Sequence, residues 1–258
     1  MRLQVLISTM HQKDHSLLDK MNIQSDAIVV NQCDRNEIEN FEYAGHNILW
    51  MSLNERGVGL SRNTALMRAN ADIVLFADDD VVYDDGYEKK VIESFEKFKE
   101  KDILIFRVES TNKERPTKKE KKDHNLSWFN SMKYGAFRIA IRKAAIRKAN
   151  VFYSLLFGGG AKYQAGEDTL FIQQCLQKGL KAASVQERLG VVEQKESTWF
   201  KGCNEKYFYD KGVLIRACFG FWTKPMLILL LIKNKSETEE VGFGKAIKCA
   251  FDGANSQR

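Results

Sequence analysis

The stretch Ala71-Asp72-Ile73-Val74-Leu75-Phe76-Ala77-Asp78-Asp79-Asp80-Val81-Val82-Tyr83 decides how the chain reads. Ile73 to Ala77 is an unbroken apolar run, β-branched at its start and bounded by charge, which predicts a buried strand. That strand delivers three carboxylates at its C-terminal end. In an open α/β sheet, ligands sit outside the carboxyl ends of the strands. Adjacent like charges raise one another's pKa unless water or a cation lies among them. In an extended chain Asp78 and Asp80 point one way and Asp79 the other. The triplet is therefore either a solvated acidic turn or a site for Mg2+ or Mn2+, hard cations that take carboxylate and diphosphate oxygens.

A chain of 258 residues has room for one large α/β domain, or for one domain with a small appendage. With 44% hydrophobic and 29% charged residues it is not a disordered chain. The 40 basic against 34 acidic residues give a net charge of +6, which favours anionic partners such as nucleotides or anionic lipid. Five scattered cysteines form no CxxC pair and no zinc-ligand spacing, as expected of thiols in a reducing cytoplasm. The opening MRLQVLISTM carries no signal-peptide pattern, and no internal repeat is visible.

Outward from the acidic strand, Leu3 to Ile7, Ala27 to Val30 and Asn47 to Met51 read as strands, and Asp14 to Met21 as a short helix. A helix opens at Gly57-Val58-Gly59 and runs to Asn70, with Leu60, Leu66, Met67 and Ala69 as packing positions. This alternation predicts a mostly parallel sheet with helices on its faces. Further on, Gly86 to Lys101 reads as a charged helix packed through Val91, Phe95 and Phe98, and Ile103 to Val108 and Ala136 to Ile141 as strands. Glu167 to Lys178 reads as a helix, and the basic run Lys113 to Lys122 as an exposed loop. Val213 to Ile232 approaches the length of a membrane span, but Arg216, Lys224 and Pro225 argue against a simple one. It is either a buried helical pair or a segment lying in the bilayer interface, where Arg216, Lys233 and Lys235 suit anionic headgroups.

Several pieces of chemistry accompany the triplet. Ser8-Thr9 ends the first strand, and Asn31-Gln32-Cys33-Asp34 ends the second. Polar groups at both ends are candidates to read a nucleobase and ribose, or are simply turn residues. Gly57-Val58-Gly59 ahead of a helix allows close approach of a diphosphate, with Arg62 adding charge; an ordinary helix start is the alternative. Gly158-Gly159-Gly160 leads through Gly166 into Glu167-Asp168, acids that either complement a helix dipole or supply a general base beneath a closing loop.

Taken in order, these pieces resemble the family-2 inverting glycosyltransferases of the GT-A fold. The likeness is carried by Val5-Leu6-Ile7-Ser8-Thr9, by Asn54-Glu55-Arg56-Gly57-Val58-Gly59-Leu60-Ser61-Arg62-Asn63-Thr64-Ala65, by Phe76-Ala77-Asp78-Asp79-Asp80 and by Gly166-Glu167-Asp168-Thr169-Leu170-Phe171. It spans about residues 3–180. The resemblance implies a GT-A-like Rossmannoid α/β fold, a mostly parallel central sheet flanked by helices, with a helical C-terminal appendage. On that view residues 1–200 form the nucleotide-sugar domain, and residues 201–258 a partly apolar helical segment with possible membrane-surface contact. It further implies a nucleotide-diphosphate sugar donor, a UDP-sugar first, bound by Ser8, Thr9, Asn31, Gln32, Arg62, Asn63, Asp78 and Asp79. The implied metal, Mn2+ or Mg2+, falls to Asp80 and Asp78, and the implied catalytic base is Asp168.

The chain departs from the family pattern at two points. Asn31-Gln32-Cys33-Asp34 stands where Asp-Asp-Gly-Ser is usual, and Leu189 to Gln194 contains no histidine where many relatives carry one. The resemblance implies a cytoplasmic enzyme, at the inner face of the cell membrane if the C-terminal segment docks there. Its acceptor would be a carbohydrate or a lipid-linked molecule in bacterial surface polysaccharide synthesis, and nucleic acid is not expected as a partner. A metal-dependent nucleotidyltransferase is the nearest rival reading, although Ser8-Thr9-Met10-His11 lacks the Gly-rich basic loop such an enzyme needs. A non-catalytic membrane-surface protein has no use for Asp78, Asp80 and Asp168 together.

Overall fold

The computed structural model describes residues 1–117, 120–194 and 202–256. In chain order its elements begin β1 (Leu3–Met10), α1 (Leu17–Lys20), β2 (Asp26–Gln32), β3 (Glu37–Tyr43), β4 (His46–Leu53) and α2 (Val58–Arg68). They continue β5 (Ile73–Asp78), β6 (Val81–Tyr83), α3 (Tyr87–Lys97), β7 (Ile103–Ser110), β8 (His124–Asn125), β9 (Ile139–Arg142) and α4 (Lys143–Ala149). They end α5 (Glu167–Gln177), β10 (Ala182–Val192), α6 (Glu205–Phe219), α7 (Thr223–Lys233) and α8 (Phe243–Asn255).

The strands form one sheet in the order β3-β4-β2-β1-β5-β9-β7-β10-β6, with β8 paired to β10. β4, β2, β1 and β5 run parallel, as the alternation of strands and helices predicts. β9 lies antiparallel between β5 and β7. Alternate residues of the central strands feed two cores. Val5, Ile7, Leu75 and Ala77 pack on one face with α1 and α3, while Leu6, Val74 and Phe76 pack on the other with α2 and α5. Burial on both faces is why these strands read as continuous apolar runs. The same alternation places Asp78 on the α2/α5 side, because it follows Val74 and Phe76 at a spacing of two.

Several boundaries differ from the sequence reading. The first helix is only Leu17–Lys20, anchored by buried Leu17 and Leu18. Residues 136–138 form a 3-10 turn rather than strand, so β9 begins only at Ile139. Met67 is exposed rather than packed. β3 (EIENFEY) is absent from the sequence reading, because three glutamates interrupt its apolar residues and leave no continuous apolar run. It is an edge strand joined to β4 by Ala44-Gly45, both at positive φ, the geometry of a tight hairpin turn. Lys118 and Lys119 of the basic run lie outside the described residues, as does the expected boundary near residue 200.

Val213 to Ile232 is resolved as parts of α6 and α7 joined by a 3-10 turn at Gly220–Trp222. Phe208, Val213, Ile215, Leu227, Leu231, Ala246 and Ala250 make a third core, which also takes in Phe157, Tyr163 and Leu170 from the loop before α5 and from α5 itself. α6 and α8 touch along glycines. A Cβ on Gly212 would collide with the Ala250 carbonyl, and one on Gly253 with the Tyr209 carbonyl. Gly212→Ala should therefore push the helices apart and cost about 1–3 kcal/mol, as overpacking does. Chemical denaturation should show the loss, with the α2/α5 core unaffected at low denaturant.

Candidate active site

The site assembles at the carboxyl end of β5. Arg62, on the face of α2 toward the sheet, is only 3% exposed. Its guanidinium donates to Asp78 Oδ1 at 2.9 Å, Glu167 Oε1 at 3.2 Å and Asp168 Oδ1 at 2.6 Å. These acids come from β5 and from the first turn of α5. Tyr153 supports the cluster: the Arg62 guanidinium carbon lies 5.1 Å from its ring centroid. Tyr153 in turn stacks on Phe171 with centroids 4.1 Å apart. Such a pair contributes about 0.5–1.5 kcal/mol beyond its buried area.

Burial works against the Arg62 charge, but Asp168, Asp78 and Glu167 outweigh it and hold its pKa well above the usual range. Burial also raises the Asp168 pKa above that of an ordinary carboxylate. Arg62 opposes that rise, Glu167 and Asp78 add to it, and the Ala136 N–H, donating to Oδ2 at 2.9 Å, opposes it. Each carboxylate oxygen has two lone pairs, so these bonds leave Asp168 acceptor capacity, and its side chain is 21% exposed.

The triplet does not continue the strand. β5 ends at Asp78, and Asp79-Asp80 form a turn, so the alternation expected for an extended chain stops there. Asp79 Oδ2 accepts from Thr9 Oγ1 at 2.5 Å. Asp80 Oδ2 accepts from the Gln194 N–H at 3.0 Å. Burial and the neighbouring Asp78 push the Asp80 pKa up to about 6. Asp79 and Asp80 line a cleft of about 590 Å³ together with Gln12, Leu17, Thr111 and Glu193. Among the described residues no three or more His, Cys, Asp or Glu side chains converge as a closed metal cage. The donor set instead fits an open site. Asp80, and Asp78 through its second oxygen, offer hard oxygen ligands in a local excess of negative charge, as Mg2+ or Mn2+ takes up when substrate phosphates complete the shell. The stretch Leu189 to Gln194 does lie beside Asp80, but meets it through backbone N–H groups of Glu193 and Gln194.

The other residues expected at the donor make bonds within the scaffold. Buried Asn31 bonds Gln12 and Ser52. Gln32 Oε1 accepts from the Gly57 N–H at 2.7 Å, fixing the entry to α2. Ser8 Oγ accepts from Ser61 Oγ. Asn63 makes a two-way bond with the Tyr153 backbone, at 2.9 and 2.8 Å. Arg62 Nη1 and Nη2 are engaged by carboxylates, while its buried Nε has no partner among the described residues. The glycines at the start of α2 admit the chain's own loop: the Val58 N–H donates to the Gly159 carbonyl, and a Cβ on Gly59 would meet the Ser154 carbonyl at 2.6 Å. Of the predicted set, Thr9, Asp78, Asp79, Asp80 and Asp168 gather at the cleft and the Arg62 cluster. The sequence reading missed the carboxylate of Glu167 on Arg62, and Gln12 beside Thr9 at 2.9 Å. It also missed Asp210 of α6, which accepts from the Gln164 N–H at 3.0 Å and so ties down the loop ahead of Glu167. Only pairing across more than a hundred residues reveals the first, so no local pattern announces it.

Arg62→Met should leave three carboxylates without their cation. We expect a stability loss of about 3–5 kcal/mol, typical of breaking a buried pair from one side. The orphaned acids would have raised folded-state pKa values, so the deficit should shrink as pH falls and they take up protons. Urea denaturation of both proteins across pH measures both effects.

The glycosyl transferase family 2 profile matches residues 14–155. A search of curated proteins finds no match. Among solved structures, S. aureus TarS 1-349 aligns over 94% of this chain and 74% of that one, with a TM-score of 0.64 at 14% identity. The same protein in complex with UDP aligns with a TM-score of 0.64 at 15% identity, and in complex with UDP-GlcNAc with 0.62 at 13%, over the same shares of each chain. At these identities the likeness is one of fold. The profile covers more than half of the 258 residues, and with the shared GT-A architecture it makes the chain a member of glycosyl transferase family 2.

Proposed function

We propose that the protein transfers a sugar from a nucleotide-diphosphate sugar to an acceptor hydroxyl, with inversion at the anomeric carbon and with help from a divalent metal. The observation that carries this reading is the convergence on Arg62 of Asp78, from the end of β5, and Asp168, from the start of α5. That convergence of Asp168 with Asp78 on one guanidinium supports a base close to the acids proposed for the metal and diphosphate. The complexes of TarS with UDP and UDP-GlcNAc support a uridine nucleotide as the first donor to try.

On this reading Thr9 and Asp79 border the donor, and Asp80 with Asp78 would hold Mg2+ or Mn2+. The cation would supply positive charge to the departing diphosphate. Asp168 accepts the proton of the acceptor hydroxyl as that oxygen forms its bond to the anomeric carbon. The bond from that carbon to the donor phosphate breaks on the opposite face, and its electron pair leaves with the nucleotide diphosphate. Arg62 keeps Asp168 and Asp78 at fixed positions without touching either substrate. Incubation with a panel of nucleotide sugars, scored for metal-dependent release of the nucleotide diphosphate, tests the reading directly. Release from none of them would remove it.

Asp168→Asn keeps the shape of the side chain and removes its basicity. Donor affinity by calorimetry should stay nearly unchanged, while turnover should fall by about a hundredfold or more. A base must be deprotonated, so wild-type kcat/KM should decline as pH drops through the raised Asp168 pKa. At saturating metal, which keeps Asp80 ionised, that limb should lie above the ~3.9 of a free aspartate.

Asp80→Ala should cost about a hundredfold in turnover and weaken the stimulation by Mn2+ or Mg2+, with an unchanged unfolding profile. Chelator should abolish the wild-type activity, and metal add-back should restore it. Full activity in excess chelator would remove the metal from the mechanism.

A further inference from the structure

Large apolar side chains are exposed together on one surface of the C-terminal helices. Phe221, Trp222, Ile228, Leu229 and Ile232 are between 42% and 90% exposed. Pro225 is exposed between them. Positions 221, 222, 225, 228, 229 and 232 recur at helical spacing and form one stripe. The opposite side of α7 is already satisfied, since Met226, Leu227 and Leu231 belong to the core shared with α6 and α8. The stripe is thus surplus to the fold.

Charge around the stripe has one sign. α7 carries Lys224 and Lys233 and no acid. Exposed Arg216 and Lys235 flank it. The nearest acid beyond Lys235, Glu237, is held by Lys211 at 2.7 Å, and Glu239 and Glu240 follow in the next segment. An apolar helix face rimmed by cations, with a tryptophan at its edge, matches a helix lying in the plane of an anionic bilayer. Spanning does not fit. α7 has eleven residues, about 17 Å of helix against about 30 Å of hydrocarbon. The longer run Glu205–Lys233 is apolar enough by length and composition, but 39% of its most apolar window is buried within the protein. Gly220, at φ 52, also breaks it.

We propose that this face of α7 is a membrane-docking surface, with the apolar stripe set among headgroups and Arg216, Lys224, Lys233 and Lys235 at lipid phosphates. Docking then orients the loop that leads into α5 and Asp168. Asp210 of α6 holds that loop through Gln164, and a Cβ on Gly166 would run into Leu214 of the same helix. The surface does not depend on which residue is the base.

The test is sedimentation of the full chain with vesicles of phosphatidylcholine alone or with added phosphatidylglycerol, at low and high salt. The protein should pellet with the anionic vesicles at low salt and be partly released by salt. Leu229→Glu with Ile232→Glu should lower partitioning at least tenfold. Lys224→Glu with Lys233→Glu should weaken binding to anionic vesicles and abolish the difference between lipids. An unchanged thermal midpoint confirms folding of each variant, and Phe221→Ser gives the same direction if the double glutamate variant folds poorly. Wild-type protein left in the supernatant with anionic vesicles at low salt overturns the proposal. So does a concentration-dependent dimer, without vesicle binding, that the glutamate pair dissociates, since the stripe would then join two copies of the chain.

Discussion

One buried guanidinium constrains this structure more than any other group. Arg62 can be taken out of water only because Asp78, Glu167 and Asp168 surround it. An unpaired charge there would cost several kcal/mol. The pairing works in both directions. It fixes where α5 begins against β5 and α2, and it leaves the cluster with more negative than positive charge. The Ala136 N–H and the amino end of α5 offset part of that excess. Burial raises the Asp168 pKa, and the neighbouring Glu167 and Asp78 add to that rise against the pull of Arg62.

The scaffold around the cluster is polar and largely bonded within itself, although Arg62 Nε and the Tyr153 hydroxyl are buried without a partner among the described residues. Asn63 is spent on the Tyr153 backbone, and this positions the ring that lies against Arg62. Gln32 caps the approach to α2, and the loop 153–159 closes over its first turn. Several residues that look like ligands in sequence thus also make bonds that hold the frame of the site. The cleft is lined by Asp79, Asp80, Val191 and Glu193; buried Thr9 bonds Asp79, and the Gln194 N–H just past β10 bonds Asp80.

The C-terminal helices are part of the same machinery. Their core is continuous with Phe157, Tyr163 and Leu170, and Asp210 and Leu214 press on the loop that leads into Glu167. The glycines of that loop serve this packing: Gly166, at φ 109, sits where a side chain would strike Leu214. Leu170 of α5 and Leu227 and Leu231 of α7 therefore share one core, although they are far apart in the chain.

The sequence by itself determined the parallel core of the sheet, because strands buried on both faces must be apolar throughout. It also showed that acids gather at the end of β5 and at the start of α5, because the apolar run stops and the glycines announce a loop. Residue order alone carried the family. The sequence did not reveal β3, whose charged residues belong to an edge strand with little to bury. Nor did it show that the strand ends at Asp78, so that Asp78 bonds Arg62 while Asp80 bonds the Gln194 N–H. Whether Val213 to Ile232 was core or surface had no answer in the sequence, since one helix face is spent on α6 and α8 and the other on nothing. Which polar residues face the cleft and which hold the frame was decided only when strands and helices distant in sequence came together. The same side chain is a ligand or a brace according to the donor that reaches it first, and for Arg62 those partners lie up to 106 residues away.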